Sequence, residues 1–370
     1  MKARTAAAYA VAGMVHLVTA ALFIGSVLLI VIGLRTVVQP MIGLVLLGLV
    51  LALRPRIGQL NPDLPTLREA DAPALFDLLG GIADTCGVRP PDAVQLAPEF
   101  SVTVTHYGYL RKRCLVVGLP LWAAYPPQQR VAAIAHAMAY AAPRNVRSRA
   151  FVAMALESLT AGSGTMRAND TAYISWNVNA LAFGAEEVAA GARTFNIRGK
   201  TSEWVLWIPR TAVAATARLL LWLTLPATRG AVLEADDAAA RAASLEAVLA
   251  ALNDQDLARP VCMEAHRLVI ETKTLATKRS TAAPEQDFWE KLARQAARLR
   301  EQRGGDATRD SLDASRVARL SAAPRHPAAI TLDEPGLTRI ADELRLPEKA
   351  VVDKMMRDGV ADAQQPMALR

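Results

Sequence analysis

The sequence predicts an α+β protein, mostly α-helical, that opens with a two-helix membrane hairpin and carries one small antiparallel sheet. Three observations predict it. Two apolar runs free of Asp, Glu, Lys and Arg, Ala6 to Leu34 and Val37 to Leu53, stand near the start of the 370-residue chain. Short β-branched segments cluster between Ala93 and Val117, and most of the chain beyond Pro126 has helical periodicity.

Each apolar run meets the length a bilayer core demands, about 20 residues with a range of about 17 to 25. The first is too long for the apolar core of a signal peptide, and the second comes directly after it. Lys2 and Arg4 precede the pair and Arg54 and Arg56 come after it, against Arg35 alone in the link, so both ends are expected on the cytoplasmic side. Gly58 to Pro65 reads as a linker. Asp71 to Cys86 reads as an amphipathic helix with an Asp cap, an early proline, Leu75, Leu78, Leu79 and Ile82 at helical spacing, and Gly87 as its stop. Ala93 to Leu96, Ser101 to Tyr107 and Cys114 to Val117 read as strands parted by Pro98-Glu99 and Gly108.

Pro126-Pro127 opens a helix at Gln128 that Pro143 ends, and a second helix is expected over Ser148 to Thr160. Gly162 to Asp170 is a polar break. Trp204 to Leu225 is apolar but holds Pro209, Arg210 and Arg218, which suits an interfacial or buried helix better than a span. Glu234 to Leu252 and Phe288 to Arg303 read as helices, Gly304 to Asp313 as a loose connection, and two short helices as the finish.

Cys86, Cys114 and Cys262 are odd in number and widely spaced, which fits reduced buried thiols and excludes a disulfide framework or a zinc knuckle. A net charge of +7 and a pI near 9.5 suit a cationic face toward anionic lipid; no nucleic-acid partner is expected. Richness in Ala, Arg and Val with little Lys is the habit of high-GC bacterial chains.

An ordered series of parts opens with the double span and continues from Ala74 to Ala142 with a helix, a hairpin, then Leu115-Val116-Val117-Gly118-Leu119-Pro120-Leu121-Trp122, then Pro127-Gln128-Gln129-Arg130-Val131-Ala132-Ala133 leading into His136-Ala137-Met138-Ala139-Tyr140. This series resembles the HtpX-like and CAAX prenyl endopeptidase family of membrane-bound zinc peptidases, its actinobacterial members above all. The resemblance implies a zincin-like metallopeptidase domain and places His136 to Tyr140 where such enzymes carry H-E-x-x-H. In that motif two histidines at i and i+4 grip zinc from one helix face and the glutamate activates the metal-bound water.

Here His136 survives, while the base position is Ala137 and the second ligand position is Tyr140, whose phenol with a pKa of about 10 is a poor zinc ligand. The third ligand, the first glutamate of an E-x-x-A-D helix, has its counterpart in Val232-Leu233-Glu234-Ala235-Asp236, so the ligand position is Val232. Glu234 lies about 200° round the helix from it. Two later landmarks of the family are worn to Arg144-Asn145-Val146 and Asp310 to Ser315. The resemblance thus implies a degenerate site at His136, Ala137, Tyr140, Val232, Glu234 and Asp236, with no catalytic residue, no metal ligand set and no cofactor. His136, Ala137 and Tyr140 are expected on a buried helix facing the helix of Val232 and Asp236. Zinc returns only if the site is rearranged around His136, Glu234, Asp236 or Asp237.

The expected organisation is a transmembrane hairpin over residues 1–56, a peptidase-fold domain over 57–330 and a C-terminal helical segment over 331–370. The expected function is that of a non-catalytic peptidase homologue at the cytoplasmic face of a bacterial membrane, with the lipid bilayer as one partner and a protein or peptide in the old cleft as another. Ser101 to Tyr107 is the strand that can pair with an extended segment. Two alternatives stand beside it: an active zinc endopeptidase with a rearranged site, and a membrane-tethered regulator whose Leu337 to Val352 forms a DNA-binding helix-turn-helix. Cys262, Glu264 and His266 are a weak second cluster, since Cys262 and His266 share a helix face. His16, His106 and His326 complete the histidines.

Overall fold

The structure, a computed structural model, describes residues 2–33, 38–53, 60–108, 111–141, 186–278, 287–303 and 311–358, together with 151–152, 154–156 and 158–159. The chain divides into two compact units, Met1–Arg56 with Arg144–Thr228, and Ile57–Pro143 with Arg229–Arg370. It is mostly helical with a small mixed sheet.

In the first unit α1 (Lys2–Ile32) is, among the described residues, the helix that is by itself long and apolar enough to cross a membrane. The helix α2 (Val38–Leu53) has 16 residues. At about 1.5 Å per residue it falls short of a hydrocarbon core of about 30 Å. The two touch at Gly43, where an added Cβ would lie 2.7 Å from the Ile30 side chain and 2.9 Å from the Ser26 carbonyl, so only glycine permits the approach. Ala8 and Ala12 of α1 bury Leu220 and Leu223 of α6 (Glu186–Ala243), together with Ala155 and Leu159. His16 donates from Nε2 to the Phe151 carbonyl at 3.2 Å, and Arg4 lies over Trp222. The stretch Trp204 to Leu225 is therefore one-sided in its described part, with Leu219, Trp222 and Leu225 exposed.

In the second unit β1 (Thr66–Leu67), β2 (Ala93–Ala97), β3 (Val102–Tyr107) and β4 (Lys112–Gly118) form a sheet in the order β1-β2-β4-β3. The sheet is mixed, which corrects the antiparallel expectation: β2 and β4 are parallel, while β1/β2 and β3/β4 are antiparallel. Burial explains the order. Every residue of β2 is buried, and the apolar Cys114 to Val117 take the other central position, whereas β3 alternates Thr103 and Thr105 outward and belongs at an edge. The β2–β3 connection returns tightly over the end of β4. Gly118 donates to the Ser101 carbonyl at 2.7 Å, and an added Cβ would lie 1.8 Å from the Glu99 carbonyl.

The helix α3 (Pro73–Cys86) stops at Gly87 in the left-handed conformation, as its sequence predicts. Its start differs: Asp71 caps nothing, since its carboxylate accepts from the Arg68 amide. The first amides of α3, Ala74 and Leu75, instead donate to Glu343, 268 residues and more away. Glu343 belongs to α11 (Glu334–Asp358), one 25-residue helix that includes Pro347. No turn separates two helices there, so the helix-turn-helix of the second alternative is not formed, and the finish is not two short helices. Residues 331–358, expected as a separate segment, send Ile340, Leu344, Val351, Val352 and Met355 into the same core as Leu79, Leu96 and Leu115.

The predicted helix Glu234 to Leu252 is broken at Ser244. With φ at 111°, Ser244 ends α6 and caps α7 (Leu245–Asn253) by accepting from the Ala247 amide. A 3-10 turn, Asp254–Leu257, leads into α8 (Ala258–Lys278), which precedes α9 (Asp287–Arg303) and α10 (Ser311–Ser321). The last of these replaces the end of the expected loose connection. Gly162 to Asp170, Arg144-Asn145-Val146 and residues 304–310 of the expected loose connection lie outside the described residues.

Candidate functional site

The site is built on α5 (Pro127–Tyr140), which follows the short α4 (Leu119–Ala124) and starts at a proline whose missing amide costs nothing in the first turn. Its run of alanines does two jobs. Ala132, Ala135 and Ala137 are buried and let neighbouring helices come close, and the small side chains leave room around His136. Gln128 anchors the helix by donating to the carbonyls of Ala243 and Ile330, both at 2.7 Å, which satisfies the last turn of α6.

Asp236 of α6 meets His136 there. His136 donates from Nδ1 to Asp236 Oδ1 at 3.0 Å. Arg316 of α10 completes the group with two parallel bonds to the same carboxylate, Nη2 to Oδ1 at 2.7 Å and Nε to Oδ2 at 2.9 Å. Asp236 is 0% and Arg316 7% exposed, so the pair is out of water and each charge needs the other. Burial alone would raise the Asp236 carboxyl, but the bonds from Arg316 and His136 outweigh it and hold it below the ordinary carboxylate value.

A cavity of about 270 Å³ opens beside the three side chains. Leu121, Val248 and Leu252 give it apolar walls, and Phe100, Ser101 and Val102 bring the start of β3 to its rim. Tyr125 closes it, edge-on to Phe100 at 5.7 Å, with its hydroxyl donating to the Ala251 carbonyl and its ionisation pushed up by burial. Since β3 pairs with β4 alone, its outer edge has no strand partner among the described residues.

Of the six candidate positions, the fold brings His136 and Asp236 together. Ala137 is buried behind them. Tyr140 stacks parallel to the His136 ring with 6.3 Å between centroids, yet it is 42% exposed, against the expectation of a buried face. Val232 is half-buried, and Glu234 is exposed, pointing away as its helical phase requires. Asp237 is paired with Arg319 at 2.6 Å. Cys262 is buried and His266 exposed, so the second cluster does not converge, and Glu264 is taken by Arg267. His106 is an exposed strand residue whose ring is held less basic by burial and by Arg111 and Arg113; His326 lies exposed in a loop.

Among the described residues no three His, Cys, Asp or Glu side chains converge as metal ligands. Nor do the residues present fit a zinc ion at His136. Both oxygens of its nearest carboxylate are engaged by a guanidinium, and a second cation there would be repelled by Arg316. The arrangement can instead fix the His136 ring, with Nδ1 given to Asp236 and Nε2 on the opposite side of the ring. Sequence reasoning missed Arg316, which stands directly after the worn Asp310 to Ser315 stretch. A buried acid on an alanine-rich helix implies a cation, but nothing local says which arginine supplies it.

Fold and site together define a mostly helical α+β chain with an apolar N-terminal helix and a buried His-Asp-Arg group beside an open sheet edge. Compared with known proteins, the chain matches no family model, no curated protein and no solved structure.

Proposed function

We propose that this chain is a membrane-anchored, non-catalytic relative of the HtpX-like zinc peptidases that holds an extended peptide segment without cutting it. The observation that carries the reading is the Arg316 guanidinium on Asp236. The carboxylate that holds His136 is balanced by the protein's own positive charge, so the group is neutralised from within and needs no metal ion. Ala137 gives no base, and Tyr140 gives stacking in place of ligation.

The peptide would add to the free edge of β3 through backbone hydrogen bonds, with one apolar side chain in the cavity walled by Leu121, Val248 and Leu252. The α1 and α2 helices would form a membrane hairpin with both ends at the cytoplasmic face, a reading supported by the Gly43 contact and by Lys2, Arg4, Arg54 and Arg56.

One observation favours a second reading. A histidine oriented by a buried carboxylate is also the arrangement of a general base, so His136 could serve a hydrolase of another kind. One experiment separates the two. The full chain in detergent is mixed with a fluorescent unfolded polypeptide, and both anisotropy and fragment formation are monitored. Binding without cleavage, lost in Ala133→Trp, which fills the cavity, supports the proposal. Cleavage that His136→Ala abolishes contradicts it.

A further inference from the structure

The solvent face of α8 carries two large apolar side chains. Met263 and Ile270 are 64% and 53% exposed. Seven residues apart, they stand on one stripe, separated by about 10 Å along the helix. The opposite face of α8 is spent in the ordinary way, with Val261, Ala265, Leu268 and Val269 buried in the core.

Cations flank the stripe. Arg259 lies one turn before Met263 and is exposed. On the other flank α8 meets α9 in a groove lined by Arg267, Lys291, Arg294 and Arg298, with Glu271 among them. Arg267 is engaged by Glu264 and Glu271, and Arg294 by Glu290. Lys291 and Arg298 have no acidic partner among the described residues, so the groove keeps a positive surplus.

We propose that this face docks on the anionic headgroups of a bilayer, with Lys291, Arg298 and Arg259 against lipid phosphates and Met263 and Ile270 entering the headgroup layer. Two features select lipid over an anionic macromolecule. The α1 helix, long and apolar enough to cross a membrane, would keep the rest of the chain at high effective concentration near a bilayer. A lipid interface gains from cations and from inserted aliphatic groups at once, whereas a nucleic acid gains from the cations and has no use for Met263 or Ile270.

Met263 is its own reporter, because an exposed methionine is oxidised to the sulfoxide and a covered one is shielded. The full chain is placed in nanodiscs of phosphatidylcholine alone and of an equimolar mixture with phosphatidylglycerol, and treated with hydrogen peroxide. Met263 sulfoxide is then measured by peptide mass spectrometry against a free methionine peptide in the same sample. Oxidation in the mixed discs should be about fivefold slower or more, the weight of one cation near an anionic surface. The double variant Lys291→Gln/Arg298→Gln should return the rate to its phosphatidylcholine value. Equal rates in the two lipids overturn the proposal, as does protection that requires added duplex DNA or an acidic polypeptide.

Discussion

Arg316 places its guanidinium edge-on against the Asp236 carboxylate, two parallel bonds of 2.7 and 2.9 Å between buried partners. Removing one partner leaves the other charge buried and alone. Arg316→Ala should therefore cost about 3 to 5 kcal/mol of unfolding free energy. Arg316→Met combined with Asp236→Leu should recover most of it, since a buried pair replaced by apolar groups of similar volume is often neutral. Denaturant titration of the three proteins checks this, and a single variant as stable as the parent would mean the pair is not buried.

The same carboxylate makes an acid prediction. Burial acts to raise the Asp236 value, but Arg316 and His136 prevail and depress it below 3.8. A depressed folded-state value contributes stability that is present above the unfolded value of 3.8 and is lost as pH falls through the folded one. Asp236→Asn should thus differ most from the parent near neutral pH, and the difference in Tm should narrow in acid. A difference that holds constant into acid would contradict the assignment.

Glu348 titrates in the opposite sense. Burial pushes its carboxyl up to about 7, against the pull of Arg130, which is itself lowered to about 10 by burial and lies over Trp122 at 4.8 Å. A raised value contributes stability that is fully present below 4.5 and lost as pH rises through about 7. Glu348→Gln does not titrate, so its Tm relative to the parent should rise between about pH 5 and about pH 8. A flat difference would show that Glu348 is well solvated.

Local patterns in the sequence speak of elements, and far less of partners. Charge-free apolar runs give α1, and the early proline with Gly87 gives α3, because these signals act within a turn or two. The sheet order is not legible: Ala93 to Leu96 and Cys114 to Val117 are alike as short apolar strands, and that they pair in parallel is decided by burial of both faces. Glu343 closing the start of α3 and Arg316 closing on Asp236 join residues far apart in sequence. The local sequence offers Asp71 as the cap of α3 and shows no partner for Asp236, and only the fold shows the groups that meet these needs. His136 and Asp236 are legible as positions through the resemblance; their hydrogen bond is not.

The central claim is that the buried Asp236 beside His136 is neutralised by the protein's own Arg316 guanidinium and not by a metal ion. Zinc per chain, measured by mass spectrometry on full-length protein extracted and purified without chelator, tests it most directly. The account predicts zinc well below one per chain and no change on His136→Ala. One zinc per chain that His136→Ala removes would contradict it.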